Sequence, residues 1–310
     1  MKILICNSNP DLSNEICKLT GNVPVLADIK TFLDGEIFVE IKESVRGEDI
    51  FIIQSISNPV NNNLMELLVT IDAVKRASAK NIFVILPYFG YARQDRKAYP
   101  RTPITAKLVA NLLESAGASH VVTVDLHAGQ IQGFFDIPVD NMYAQPVFIS
   151  HIKKLNLGED IVVTSPDIGG IARARAFAKK LNCPISIIDK RREKPGVSEV
   201  MNIIGEIQNK HCIIIDDIVD SAGTLCNAAD KLIEAGAKSV LAFITHGVLS
   251  GPALERIAKS QITKLFITNS IKITPEVHSS GKIEFLSIAP LLAEAIKRIS
   301  SNNGLSSLAD

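Results

Sequence analysis

The run KHCIIIDDIVDSAGTL, Lys210 to Leu225, leaves few folds open. Four consecutive apolar residues, Cys212 to Ile215, read as a buried strand, and two carboxylates, Asp216 and Asp217, follow at once. A small-residue loop, Asp220-Ser221-Ala222-Gly223-Thr224, then leads into a helical pattern from about Leu225. A strand that enters a helix this way belongs to an α/β sheet, and the loop is suited to an anion. Its amides and the helix N-terminus carry partial positive charge, and Ser221, Ala222 and Gly223 have no bulk to keep a phosphate away. Ser221 and Thr224 add hydroxyl donors. Asp216 and Asp217 cannot face that phosphate bare; they suit sugar hydroxyls, which donate to them, or a metal ion. Phosphate at one end and a diol at the other describe a ribose phosphate; the alternative is a solvated acidic turn.

The same grammar runs through the chain. Strands are expected over 2–6, 49–54, 82–87 and 121–127 in the first half, and over 161–164, 185–189 and 240–245 in the second. Residues 37–41 and 201–207 alternate like exposed strands. Helices are expected from a cap at Asp11 or Ser13 to about Leu19, over 64–77, from Pro103 to about Ser115, over 171–181, and over 289–299. Leu64, Leu67, Leu68, Ile71 and Val74 share one helical face. Strands alternating with helices imply parallel sheets. Helix-Ser78-Ala-Lys-Asn81-strand in the first half matches helix-Gly236-Ala-Lys-Ser239-strand in the second, which suggests a duplicated domain. The boundary is expected between Asn141 and Gln145, giving domains 1–143 and 144–310 with the last helix packing back on the first.

Lys+Arg and Asp+Glu balance at 33 each, so nothing global favours nucleic acid or an anionic membrane, and any anion site must come from local clustering. The five cysteines form no CxxC pair, as expected of a reduced, cytoplasmic protein. No apolar run approaches the roughly 20 residues of a membrane span. There is no GxGxxG and no GxxxxGK[ST], so a bound nucleotide must be held by side chains.

Three clusters can supply them. Arg93-Gln94-Asp95-Arg96-Lys97 follows strand 82–87, at the strand end where open α/β sheets bind ligands; Arg offers paired donors to phosphate and Gln an amide to a polar edge. Asp125 and His127 end strand 121–127 on one face, and Asp167 sits in the strand-end loop SPDIGG. Mg²⁺ prefers oxygen ligands, so Asp167 is the more natural partner of the two loops and His127 the less natural. Lys190-Arg191-Arg192, followed by Glu193, Pro195 and Gly196, reads as a mobile cationic loop suited to closing over a polyphosphate.

Together these pieces resemble the ribose-phosphate diphosphokinase family from about Lys2 to Leu308. The motifs are Asp34-Gly35-Glu36, GYARQDRK at 90–97, VDLHAGQIQGFFD at 124–136, SPDIGG at 165–170, IDKRREKP at 188–195 and DDIVDSAGT at 216–224. The resemblance implies two phosphoribosyltransferase-type domains and a homohexamer. It implies the Mg²⁺-dependent reaction ATP + ribose 5-phosphate → AMP + 5-phosphoribosyl 1-diphosphate, which feeds nucleotide, histidine and tryptophan biosynthesis. By motif, Phe32, Asp34, Gly35 and Glu36 would meet the adenine from a neighbouring subunit, and Arg93, Gln94, Asp95 and Arg96 would hold ATP. His127 and Asp167 would serve the metal, and Lys190 and Arg192 would be catalytic cations. Arg192, Asp216, Asp217, Asp220, Ser221, Ala222, Gly223 and Thr224 would bind ribose 5-phosphate. Ser44-Val45-Arg46 would belong to an effector site for phosphate or ADP. Gly247 departs from the family, which usually has proline there, and 98–101 is also unusual. A non-catalytic relative should lose the 216–217 acids or interrupt 190–196, and neither happens. An ordinary phosphoribosyltransferase or a ribose-phosphate binding module would leave the other clusters without a role.

Overall fold

The computed structural model describes residues 1–191 and 200–308. It divides into two compact units, Met1–Ala144 with Ser270–Lys272 and Ser287–Asp310, and Gln145–Asn269 with Ile273–Leu286.

The first unit runs β1 (Lys2–Ile5), α1 (Pro10–Thr20), a hairpin of β2 (Ala27–Thr31) and β3 (Ile37–Ile41), β4 (Asp49–Ile53), α2 (Val60–Arg76), β5 (Asn81–Leu86), α3 (Thr105–Ala116), β6 (His120–Val124) and β7 (Val139–Met142). The sheet order is β1-β4-β5-β6-β7, parallel throughout. Leu67, Ile71 and Val74 of α2 are fully buried, and Leu64 and Leu68 pack against the same core. The cap of α1 is Asn9, whose side chain accepts from the Leu12 amide at 3.4 Å. The expected caps lie inside the helix, because Pro10 needs no donor partner and takes the first helical position.

The second unit runs α4 (Gln145–Lys154), β8 (Ile161–Ser165), α5 (Ile171–Leu181), β9 (Ile185–Arg191), β10 (Val200–Ile204), β11 (His211–Val219), α6 (Gly223–Glu234), β12 (Ser239–Gly247), α7 (Ala253–Lys259), β13 (Lys264–Thr268), α8 (Pro275–His278) and β14 (Ile283–Leu286). Its sheet order among the described residues is β10-β9-β8-β11-β12-β13-β14. Only the β9–β10 pair in that order is antiparallel. Helix α9 (Ala289–Ser300) belongs to the first unit and packs on α1.

The order β8-β11-β12-β13-β14 repeats β1-β4-β5-β6-β7, and the turns repeat with it. Ser78 (φ 65°) and Gly236 (φ 94°) end α2 and α6 in the left-handed region. The carbonyl of Ser78 accepts from the Gly47 amide at 2.8 Å, and that of Gly236 accepts from Asn209 at 2.9 Å. The Lys80 and Lys238 amides then donate to Glu48 and Lys210, both at 2.8 Å. Each unit thus closes its helix-to-strand joint on the residues that open the neighbouring strand.

Several boundaries differ from the sequence reading. The acids 216 and 217 lie inside β11 rather than after it, because β12 is equally long and pairs with it as far as Val219↔Gly247. Strand β6 stops at Val124, and Asp125 turns to φ 41°, so strand alternation does not carry through to His127. Lys190 and Arg191 are strand residues, since β9 continues to meet β10.

The second core centres on Phe243, which stacks on Phe266 at 4.5 Å between centroids and meets Phe148 edge-on at 5.5 Å. Phe243 is fully buried, so Phe243→Ala should destabilise the protein by about 3–5 kcal/mol, the usual loss for a deleted core aromatic. Chemical denaturation checks this; a loss under about 1 kcal/mol would contradict the packing described.

Candidate functional site

The loop after β11 is tied down on both sides. Val248 and Leu249 amides donate to the Val219 carbonyl at 2.9 and 3.1 Å, and the Ser250 amide donates to Asp220 O at 3.1 Å. The Ser250 hydroxyl also donates to the Asp220 carboxylate. Arg256 of α7 reaches from the other side and donates to the Ser221 carbonyl at 3.0 Å. Ala222 is buried with φ 59° and caps α6, which starts at Gly223. A Cβ on Gly223 would sit 3.3 Å from the Arg256 guanidinium, so the turn leaves little room for a larger residue. Ser221 and Thr224 stay exposed. Backbone amides at a helix start, flanked by two hydroxyls and backed by a fixed guanidinium, can receive a phosphate. Gly247, the unusual residue of the sequence, is the last of β12; a Cβ there would meet Ile267 Cδ1 at 2.7 Å.

The two acids carry a partner that sequence reasoning did not find. Arg173, the third residue of α5, places one nitrogen 2.8 Å from Asp216 Oδ1 and 2.9 Å from Asp217 Oδ1. The Asp217 amide donates to Asp216 Oδ1 at 2.9 Å. Burial first, and the Asp217 charge second, push the Asp216 carboxyl up to about 7, against the pull of Arg173. Nothing in the spacing of Arg173 and Asp216 signals their meeting; it depends on β8, which leads into α5, lying beside β11.

In the first unit, the loop after β5 is pressed onto the chain after β4. A Cβ on Gly90 would lie 2.2 Å from the Ile56 carbonyl oxygen, so only glycine fits there. Tyr91, at φ 68°, donates its hydroxyl to Asn61. Arg93 and Gln94 line a cavity of about 450 Å³ together with Asn61 and Tyr91. Gln94 is braced by the Thr105 hydroxyl at 2.5 Å and Asp95 by Gln130 at 2.9 Å; Arg96 is exposed. Phe32, Asp34, Gly35 and Glu36 form the exposed tip of the β2–β3 hairpin. There the Phe32 amide donates to Glu36 O at 2.8 Å, Gly35 has φ 96°, and Asp34 accepts from the Glu36 amide at 3.1 Å. Ser44 and Arg46 are exposed on either side of buried Val45.

His127 lies in the first unit and Asp167 in the second, both exposed. Asp167 braces its own loop: one oxygen accepts from the Gly170 amide at 2.9 Å and its carbonyl accepts from Ser165 Oγ at 2.7 Å. Among the described residues no group of three or more His, Cys, Asp or Glu side chains could hold a metal. Lys190 is paired with Met201 in the β9–β10 ladder, and Arg192 lies outside the described residues. Among the described residues, no helix is long and apolar enough to cross a membrane.

A parallel sheet repeated in one chain, with an acid-bearing strand entering a small-residue loop and a helix, defines the phosphoribosyltransferase-type architecture. Residues 1–117 match the N-terminal domain of ribose phosphate pyrophosphokinase, and residues 189–309 match the phosphoribosyl synthetase-associated domain. A ribose-phosphate pyrophosphokinase of Granulibacter bethesdensis is 58% identical over 310 residues, all of both chains. One of Agrobacterium fabrum is 57% identical, again over all of both. The crystal structure of phosphoribosylpyrophosphate synthetase from Mycobacterium smegmatis superposes with a TM-score of 0.92 at 42% identity, covering 97% of this chain and 99% of that one. The chain belongs to the ribose-phosphate pyrophosphokinase family.

Because Asp216 titrates near 7 rather than at the ordinary 3.8, the folded chain holds a proton that the unfolded chain has released between those values. Its contribution to stability is therefore present below about pH 4 and is lost as pH rises to about 7. Thermal midpoints of the ligand-free protein and of Asp216→Asn, compared from pH 4 to 8, should diverge in that sense, the variant gaining relative to the parent as pH rises. A constant difference would place the Asp216 titration elsewhere.

Proposed function

We propose that the protein transfers the diphosphoryl group of ATP to the 1-hydroxyl of ribose 5-phosphate, giving 5-phosphoribosyl 1-diphosphate and AMP. The end-to-end likeness to chains named ribose-phosphate pyrophosphokinase carries this reading, and the loop after β11 agrees with it. The amides and hydroxyls of 220–224 take the 5-phosphate, and Asp216 and Asp217 accept the 2- and 3-hydroxyls. Arg93, Gln94, Asp95 and Arg96 hold ATP. Phe32, Asp34, Gly35 and Glu36 meet its adenine from a neighbouring subunit of a homohexamer, which suits an exposed hairpin tip.

The ribose 1-hydroxyl oxygen attacks the β-phosphorus, the bond from that phosphorus to the α-phosphate oxygen breaks, and AMP departs. No covalent enzyme intermediate is required, since positioning and charge dominate phosphoryl transfer. Lys190 and Arg192 are assigned to the charge on the transferring group and the leaving α-phosphate. Mg²⁺, served by Asp167 and His127, would neutralise and orient the phosphates. Mg²⁺ prefers oxygen ligands and keeps several of its waters, which suits the Asp167 carboxylate better than the His127 ring.

Incubation with ATP, Mg²⁺ and ribose 5-phosphate should yield AMP in step with sugar consumption; no AMP would sink the assignment. Lys190→Ala should lower kcat by about 10²-fold or more, by analogy with removal of an oxyanion donor, and a variant within a few-fold of the parent would remove Lys190 from the mechanism. Asp216→Ala should raise the KM for ribose 5-phosphate.

A further inference from the structure

We propose that Arg173 is a positioning residue that gathers Asp216 and Asp217 into one acceptor and so sets the demand for both hydroxyls of the sugar. The inference rests on the ribose 5-phosphate reading of the loop after β11.

The Asp217 amide already ties the two acids locally, donating to Asp216 Oδ1 at 2.9 Å, but strand geometry does not bring their carboxylates to one point. Successive residues of a strand send their side chains to opposite faces, and both belong to β11. Their charges also repel, and Asp217 is only 5% exposed, where water screens little. Yet one nitrogen of Arg173 lies 2.8 Å from Asp216 Oδ1 and 2.9 Å from Asp217 Oδ1. The two oxygens therefore converge on a single point, at a separation bounded by the sum of those two bonds.

The sheet explains how the guanidinium reaches both. Strand β8 pairs with β11 only as far as Thr164↔Ile214, whereas β12 continues to Val219↔Gly247. Beyond Ile214, β11 outruns β8, and the loop 165–170 turns there into α5. Arg173 stands in the first turn of that helix, beside the uncovered stretch. Rigid neighbours hold it: β8 is buried along its whole length, and Ala174 next to it is buried in α5.

A guanidinium nitrogen donating to two carboxylates presents the same pattern as a vicinal diol, one proton to each acid. Ribose 5-phosphate offers two such donors and 2-deoxyribose 5-phosphate one. With the acids gathered, both hydroxyls reach their acceptors together, and the deoxy sugar, which forfeits one hydrogen bond to a charged group, binds less well. Once they are released, the two acceptors no longer act as one unit, and that preference weakens.

The test compares the parent with Arg173→Met and Arg173→Lys. Binding of ribose 5-phosphate and of 2-deoxyribose 5-phosphate is measured by calorimetry, and KM and kcat for ribose 5-phosphate and ATP by AMP release. Arg173→Met should raise the KM and weaken the binding of ribose 5-phosphate by about tenfold or more, the scale of hydrogen bonds to charged groups. It should leave the KM for ATP within about twofold and shrink the preference for ribose over deoxyribose by a similar factor. Arg173→Lys, whose ammonium can still donate to both acids, should recover most of that preference, and Arg173→Ala replaces the Met variant if that one does not fold. An unchanged preference in Arg173→Met against weaker binding of both sugars, or a fall in kcat alone, would overturn the proposal. If the parent itself binds neither sugar, the ribose 5-phosphate reading fails instead.

Discussion

Parallel pairing governs where everything else can be. A parallel neighbour cannot be reached by a tight turn, so the chain must cross back over the sheet, usually as a helix. Every strand of such a sheet ends at the same edge, and the loops gathered there are free to differ while the strands beneath stay apolar. In the first unit that edge carries the loop after β5, with Arg93 and Gln94, and the turn after β6, with His127. In the second it carries the loop after β8, with Asp167, and the loop after β11, with 220–224. Apolar runs such as Ile213–Ile215 are thus a scaffold whose chemistry lies entirely at one end.

The two units share the scaffold and differ at that end. Strands β4 and β11 hold the same place in the sheet order, and their joints to the following helix and strand use the same amide-to-carbonyl pairs. Beyond β4 the first unit closes on itself. Gln54 Nε2 donates to buried Glu66 at 2.9 Å, and Asn7 supplies both its amide and its side chain to the same carboxylate at 2.7 and 2.9 Å. A buried carboxylate so supplied is a rigid structural element. Beyond the corresponding point in the second unit, β11 runs on as Asp216 and Asp217 into an open small-residue loop. The two units thus hold equivalent strand ends; one is filled from within and the other opens into a small-residue loop.

The sequence makes the scaffold legible and the contacts across it much less so. Continuous apolar runs gave every strand of the first sheet except β7, and the 67–71–74 spacing gave the buried face of α2, because both follow from periodicity alone. Strand lengths were harder. Asp216 and Asp217 look like the end of a strand, and only the reach of β12 keeps them inside one. The hairpin strand β2 went unseen because its residues, Ala27–Thr31, carry two charges and only two apolar side chains, none of them fully buried. Asp125 leaves the strand through a positive φ that its neighbours do not announce. The small-residue turn after β11 was visible because small residues and hydroxyls are sequence-local. Arg173 and Arg256 were not, because each reaches its target from another element, and which elements adjoin is a property of the sheet order.

That difference bears on how an electrically balanced chain can hold anions at all. With 33 basic and 33 acidic residues, attraction must come from placement rather than from surplus. In the loop after β11, Arg256 is spent on a backbone carbonyl, bracing the turn, and Arg173 on two carboxylates. Two cations of the second unit are thus committed within the fold, one holding a turn through a backbone carbonyl and one joining two acids.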